Sequence, residues 1–190
     1  LIIMPCELIF LNGHHLKDCI RKYIELWTPD FGEKAQAFSE WFEKYNYVCA
    51  TLVDRIVPGF PRKDIVDIQN KIGYKDNLVV QAEIFHLWVI ERPENMTCEE
   101  LRKEFPADQA GLHVLIAESE APYHERKVTL LNGPHTVLSP VAYLSGINIV
   151  RDALHDSVVG PYIKKVQYDE LMQTLNLPME ELQQFAADVL

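Results

Sequence analysis

The order of apolar and polar positions divides the first part of the chain into candidate strands and helices. The opening run LIIMPCELIF (1–10) is apolar almost throughout, which predicts a strand buried on both faces. Segments 14–27 and 34–45 repeat apolar residues every three or four positions, which predicts two amphipathic helices. Apolar runs rich in β-branched residues predict further strands at 46–61, 77–91 and 112–119.

Helical spacing of apolar residues replaces the strand pattern from about residue 122 onward. The predicted helices lie at 126–145, 147–154, 161–175 and from 178 onward. Gly133 and Pro134 interrupt the first of them, and we expect a kink there because proline removes a backbone donor. The sequence thus predicts an α/β domain at 1–118 followed by an all-α domain at 119–190.

Charge and apolar run length exclude several classes of partner. The 190 residues include 28 acidic and 18 basic ones, a formal net charge of -10, and no run of lysine or arginine offsets this charge locally. Such a chain repels phosphate backbones, so we expect no nucleic-acid partner. The opening apolar run is too short to cross a bilayer and lacks the basic start of a signal peptide. We therefore expect no membrane partner and a cytoplasmic location.

Cysteine and histidine spacing does not indicate a metal site. The four cysteines include no C-x-x-C pair and fit neither zinc spacing nor a disulfide framework, so we interpret them as reduced thiols. His14 and His15 are adjacent and would point about 100° apart on a helix, which disfavours a shared metal. Trp27, Trp41 and Trp88 lie among apolar residues and are predicted to be core residues.

The two ends of the sequence are typical of an internal segment. No initiator methionine precedes the opening run, and EELQQFAADVL (180–190) continues a helical pattern without a capping signal. We therefore expect the chain to be a piece of a longer protein.

The segment KVTLLNGPHT (127–136) places three polar side chains in an otherwise apolar helical pattern. On a regular α-helix, Lys127, Asn132 and His135 fall within about 140° of arc, so they can reach one bound molecule. Oxidation of a secondary alcohol needs a base for the hydroxyl proton, and reduction of a ketone needs the same group as an acid. Lys127 can serve both ways when burial and neighbouring cations such as Arg126 favour its neutral form.

Asn132 and His135 carry N–H groups that could donate hydrogen bonds to the carbonyl oxygen of such a substrate. The alternative is structural. On that interpretation Lys127 is solvated, Asn132 caps a turn and His135 is simply hydrogen-bonded.

Two motifs resemble those of a known enzyme family. Lys127, Asn132 and His135 match the Lys-x4-Asn-x2-His motif of the mannitol dehydrogenase family of polyol-specific long-chain dehydrogenases, and TLVDRIVPG (51–59) is similar to that family's Val-Asp-Arg-Ile segment. The resemblance extends from MPCELI to NLPMEELQQFA, nearly the whole chain. It implies a Rossmann-type NAD-binding domain followed by an all-α domain of the 6-phosphogluconate-dehydrogenase type, whose first helix carries the catalytic lysine.

The chain would then hold the last part of the NAD-binding domain and the beginning of the helical domain. No two of its glycines have the Gly-x-Gly spacing of a dinucleotide-binding turn. The sequence therefore assigns no cofactor-binding residue.

Cys6, Glu7 and Leu8 stand where mannitol and fructuronate enzymes of the family usually carry Cys-Asp-Asn. The segments PCELI, LVDRIVPGFPR and ERKVTLLNGPHT resemble instead the family members that act on hexonates. This resemblance implies NAD-dependent interconversion of D-altronate and D-tagaturonate in hexuronate breakdown, with Lys127 as general acid and base. A mannitol or fructuronate dehydrogenase of the same family and a noncatalytic helical interaction module stay open as alternatives.

A hexonate or hexuronate substrate carries a carboxylate, which arginine binds well through paired hydrogen bonds. Arg55, Arg62 and Arg126 are candidates that the sequence does not rank. Asp54 and Arg55 lie in an otherwise apolar segment, where unpaired charges are costly, so one interpretation is a structural ion pair. The resemblance implies the other interpretation, in which one of these two residues orients Lys127 or the substrate.

Overall fold

The structure, a computed structural model, describes residues 1–189. Contacts between residues separate it into two compact units, Leu1–Ile116 and the segment that begins at Ala117. The first unit combines strands and helices and the second is helical. The predicted order, an α/β part followed by helices, is confirmed.

Five strands form two small sheets. β1 (Ile2–Ile3) pairs in parallel with β2 (Tyr47–Val48), whereas β3 (Ala50–Asp54) pairs antiparallel with β4 (Leu87–Glu91). β5 (Val114–Ala117) lies on the other side of β4 and completes a three-stranded sheet. A core cluster packs against these strands and consists of the buried residues Cys49, Ile90, Leu101, Val114 and Ile116.

Both amphipathic helices predicted before the first long strand are confirmed. α1 (Asn12–Phe31) and α2 (Glu33–Tyr45) are joined at Gly32, whose φ of 48° favours glycine. The prediction that Trp27 and Trp41 are core residues is wrong, because they are 43% and 44% exposed. These rings pack against Phe38 on the hairpin itself and not in the sheet core.

Two predicted strands are much shorter than their apolar runs. The opening run forms a strand only at β1, because Pro5 has no N–H for a ladder and Leu8 is 84% exposed. The predicted strand at 77–91 is confirmed only at β4, and Ile84, before it, is 94% exposed. An apolar run forms a strand only where a neighbouring strand supplies hydrogen bonds, and these two segments lack that neighbour over most of their length.

Two further helices in the first unit were not predicted. α3 (Ile65–Ile72) lies between β3 and β4, and α4 (Cys98–Glu104) lies between β4 and β5. α4 begins with a reciprocal capping box in which the Thr97 hydroxyl accepts from the Glu100 amide and the Glu100 carboxylate accepts from the Thr97 amide. The Thr-x-x-Glu pattern is a sequence signal that could have predicted this helix.

One continuous helical rod begins the second unit, with α5 (Ala121–Lys127), a π-helical turn (Val128–Asn132) and α6 (Gly133–Leu144) in succession. The remaining helical elements are α7 (Val150–His155), α8 (Val159–Lys165), a second π-helical segment (Val166–Leu171), a 3-10 turn (Met172–Thr174) and α9 (Met179–Val189). The core of α6, α7 and α8 consists of Leu138, Ala142, Ala153, Val159 and Ile163. Within residues 1–189, no helix combines the length and apolar character needed to cross a membrane.

Candidate active site on a π-bulged helix

The predicted catalytic segment contains a π-helical turn directly before Gly133 and Pro134. The Gly133 amide donates to the Val128 carbonyl five residues earlier, which means that the turn holds one residue more than an α-helical turn. Offsets of five and eight residues across this turn therefore act like offsets of four and seven on an α-helix. Lys127, Asn132 and His135 then fall within about 60° of arc instead of about 140°. The backbone thus brings the three residues to one side of the rod.

The three side chains differ in exposure. Lys127 is half-buried, whereas Asn132 and His135 are exposed. The His135 Nδ1 atom lies 2.7 Å from the Leu131 carbonyl oxygen, and because a carbonyl only accepts, Nδ1 carries the proton. The Nε2 atom of a neutral His135 is consequently an acceptor for a substrate hydroxyl. It can donate to a carbonyl oxygen, as the sequence predicted, only when the ring is protonated.

His124 lies one helical turn before Lys127, and sequence reasoning missed it. Its partial burial, and then the like charge of Lys127, hold the pKa of His124 below its usual value. The positive charge of Lys127 therefore disfavours protonation of His124 on the same face of α5. Positions three apart on a helix are neighbours, which is the sequence signal that could have identified His124.

Arg126, proposed from the sequence as a carboxylate ligand, is 7% exposed and has partners inside the second unit. Its guanidinium lies 4.5 Å from the centre of the Phe185 ring, and its Nη1 atom lies 3.9 Å from Glu181 Oε2. Both partners belong to α9. These contacts favour a structural role for Arg126, in which it attaches α9 to α5.

A small cavity of about 80 Å³ lies beside the π-helical turn. His135 and Gln167 supply its polar lining, and apolar residues of α6, α7 and α8 supply most of the rest. Lys127 and Asn132 do not line this cavity. Gln167 is fully buried, and nothing in the sequence pattern distinguished it from an exposed helical glutamine.

The other candidate residues lie in the first unit. Asp54 ends β3 and is half-buried, while the next residue, Arg55, is exposed and donates through Nε to the Glu83 carbonyl at 2.9 Å. The Glu83 carboxylate accepts in turn from the Ile56 amide at 2.6 Å. Arg62 is exposed in the turn that follows. Arg55 and Arg62 thus present cationic groups at the surface of their unit.

Hydrogen bonds from the Asn12 side chain hold the backbone of the segment around Cys6, Glu7 and Leu8. Asn12 is buried, and its side-chain N–H groups lie 3.0 Å from the carbonyl oxygens of both Pro5 and Glu7 and 2.9 Å from that of Thr51. Asn12 Oδ1 accepts from the Thr51 amide at 2.8 Å. The sequence pattern around Asn12 gave no sign of this clamp.

The four cysteines all lie within the described residues and form no disulfide bond. Burial raises the pKa of the Cys49 thiol to about 11, and nearby Glu91 adds to the effect. Among residues 1–189, no group of three or more histidine, cysteine, aspartate or glutamate side chains is arranged to hold a metal ion.

Two family models match the chain. The mannitol dehydrogenase Rossmann domain matches residues 1–103, and the mannitol dehydrogenase C-terminal domain matches residues 120–190. Altronate oxidoreductases of Phocaeicola vulgatus and Bacteroides thetaiotaomicron are each 70% identical over 190 residues, which is 100% of this chain and 38% of theirs. One from Escherichia coli O6:K15:H31 is 39% identical over 188 residues, 99% of this chain and 37% of its own length.

Two solved structures share the fold. A substrate-free D-sorbitol dehydrogenase superposes with a TM-score of 0.74 at 24% identity, over 99% of this chain and 36% of that one. A Pseudomonas fluorescens mannitol 2-dehydrogenase, in a ternary complex with NAD and D-mannitol, superposes with a TM-score of 0.58 at 20% identity. The match covers 98% of this chain and 36% of that one. The predicted fold class, part of a Rossmann-type domain followed by a helical C-terminal domain, is confirmed. Matched by both family models over nearly its whole length, the chain belongs to the mannitol dehydrogenase family.

Proposed function

We propose that this chain is part of an NAD-dependent oxidoreductase that interconverts D-altronate and D-tagaturonate. The observation that carries the proposal is the 70% identity to altronate oxidoreductases over all 190 residues. The chain spans 38% of the length of those relatives. The activity therefore belongs to the longer protein, and we expect the isolated chain to be inactive. We keep the domain limits 1–118 and 119–190 and a cytoplasmic location as parts of the proposal.

Lys127 is the proposed general acid and base. In the oxidation of altronate, the neutral Lys127 amine takes the proton of the substrate hydroxyl as the carbon–oxygen double bond forms. NAD, when bound, supplies the chemistry of hydride acceptance from the same carbon. In the reverse direction the Lys127 ammonium returns the proton to the ketone oxygen. The half-buried position of Lys127 limits access of water to this exchange.

Asn132 and His135 are proposed to orient the substrate. The Asn132 amide can donate to the reacting oxygen, which gains negative charge during ketone reduction. The neutral His135 ring, with Nδ1 bonded to the Leu131 carbonyl, can accept from a neighbouring substrate hydroxyl through Nε2. The compact arc that the π-helical turn gives these residues supports their action on one molecule.

No residue of this chain is assigned to NAD, because none of its glycine pairs has the spacing of a dinucleotide-binding turn. Arg55 and Arg62 are proposed for the substrate carboxylate in preference to Arg126, since both are exposed and Arg126 is buried against α9. We retain Asp54 as a candidate for orienting Lys127 or the substrate. The proposed partner is a small-molecule hexonate or hexuronate, and we propose no nucleic-acid or membrane partner.

The test compares substrates in the purified full-length protein. NADH formation is measured with D-altronate, D-mannitol and D-mannonate, the last of which reports fructuronate chemistry. We expect the highest kcat/KM with D-altronate. A higher kcat/KM on mannitol or mannonate would move the protein to another branch of the family, and no turnover of any of them would favour a noncatalytic module.

The role of Lys127 is tested with Lys127→Ala beside Lys164→Ala, which removes an exposed lysine of α8. General acid and base assistance contributes roughly 10²- to 10⁴-fold, so Lys127→Ala is expected to lose kcat by about that factor while its Kd for NAD is retained. The rise of the oxidation rate with pH is expected to disappear in the same variant. Near-normal turnover with an unchanged pH profile would remove Lys127 from the mechanism.

A further inference from the structure

A buried amide side chain contacts the π-helical turn. Gln167 is 0% exposed and lies in the second π-helical segment, which continues α8. Its Nε2 donates to the carbonyl oxygen of Leu130 at 2.9 Å, and Leu130 is the middle residue of the turn Val128–Asn132. One turn is thus linked to a helix 37 positions further along the chain.

The Leu130 carbonyl lacks the backbone donor that a regular α-helix would provide. In an α-helix its partner would be the N–H four residues later, but that position is Pro134, which has no N–H. The Gln167 amide supplies a side-chain donor in its place. A second contact lies beside it, because a Cβ at Gly133 would come within 3.1 Å of Leu171 Cδ1. The end of the turn therefore also packs closely against the second π-helical segment.

We propose that Gln167 is a positioning residue for the dehydrogenase reaction. It holds the Leu130 carbonyl in the π-helical turn and thereby keeps Lys127, Asn132 and His135 within one narrow arc of the rod. The inference rests on the proposed function, since it concerns the same site. If the turn relaxed to a regular α-helix, the three side chains would spread to about 140° of arc.

The chemistry of the position supports a positioning role over a packing role. Gln167 Oε1 has no hydrogen-bond partner within the described part of the chain, so burying this amide costs stability that an apolar side chain of the same length would not cost. Gln167 also lines the same small cavity as His135. The buried Gln167 amide supplies a hydrogen bond to the Leu130 carbonyl that an apolar side chain could not supply.

The experiment uses the full-length protein with Gln167→Met, which keeps the length and removes the donor. A milder variant, Gln167→Asn, keeps the amide but withdraws it by one methylene. The matched control is Gln173→Met, because Gln173 also donates to a backbone carbonyl, that of Tyr168 at 3.1 Å, but is exposed and does not touch the turn. Steady-state rates, Kd for NAD, pH profiles and thermal unfolding are measured for each.

Misplacement of reacting groups by about 1 Å can cost roughly a hundredfold in rate, so both Gln167 variants are expected to lose about 10- to 100-fold in kcat. Kd for NAD should stay unchanged, the rise of the oxidation rate with pH should flatten as in Lys127→Ala, and Gln173→Met should match the wild type. Gln167 variants that are less stable but keep kcat within twofold of the control would overturn the inference. If Lys127→Ala itself kept full activity, the proposed role of Lys127 would fail first, whatever the Gln167 variants did.

Discussion

Replacement of Asn12 by alanine tests the clamp that joins the start of the chain to β3. The two N–H groups of the side chain are shared among the carbonyl oxygens of Pro5, Glu7 and Thr51, and Oδ1 accepts from the Thr51 amide. Asn12 itself is only 3% exposed, so these hydrogen bonds are shielded from water. In Asn12→Ala the three carbonyls and the Thr51 amide lose their partner together.

The magnitude follows from the number of bonds lost. Two N–H donors and one acceptor correspond to three hydrogen bonds, each contributing about 1 kcal/mol net, which gives a loss of about 3 kcal/mol. A protein is stable by only about 5–15 kcal/mol in total, so the local effect is large. Asn12→Asp is expected to be at least as harmful near neutral pH, because it keeps the acceptor but turns a carboxylate toward three carbonyl oxygens. Its stability should improve as the pH falls and the carboxyl gains a proton.

Hydrogen exchange of the Thr51 amide in the full-length protein gives a local measurement. A loss of about 3 kcal/mol corresponds to exchange that is roughly a hundredfold faster. Asn95→Ala, at an exposed turn residue, serves as the control and should leave this amide unchanged. Thr51 exchange within threefold of the wild type in Asn12→Ala would refute the clamp.

Three further predictions concern stability and reactivity. In Gly13→Ala the new methyl group would overlap the backbone carbonyl of Cys49, so we expect a loss of about 3 kcal/mol or more in thermal unfolding, and an unchanged Tm would contradict this packing. Maleimide labelling near pH 8 should modify the exposed Cys6 and Cys19 and spare Cys49, whose pKa is raised to about 11 by burial; rapid labelling of Cys49 in folded protein would show that it is accessible. The pKa of His124 is lowered by burial and by Lys127, so its contribution to stability is present above about pH 6.5 and is lost as the pH falls through the lower folded-state pKa. His124→Gln should therefore lose less Tm than the wild type between about pH 7 and pH 5, and parallel curves would argue against this assignment.

Local pattern was a reliable guide wherever one element could be recognised by its own residues. The amphipathic spacing at 14–27 and 34–45 predicted α1 and α2, because a helix that buries one face carries apolar residues every three or four positions. The same reasoning failed for 77–86, which has an isolated bridge from Gln81 to Gly59 but forms no strand, since strand formation depends on a partner elsewhere in the chain. α4 was missed although its capping box is a local signal.

In the candidate site, too, the sequence determined some features and tertiary contacts decided others. Residue type and spacing determined that Lys127, Asn132 and His135 share a helical segment, and the resemblance carried by this motif led to the mannitol dehydrogenase family. The π-helical turn, by contrast, adds only one residue, and its Leu130 carbonyl receives its donor from Gln167, 37 positions away. Asn12 likewise finds Thr51 39 positions away. Contacts between distant residues decide both, because a buried polar group takes whichever partner the folded chain brings to it, and no local pattern encodes that partner.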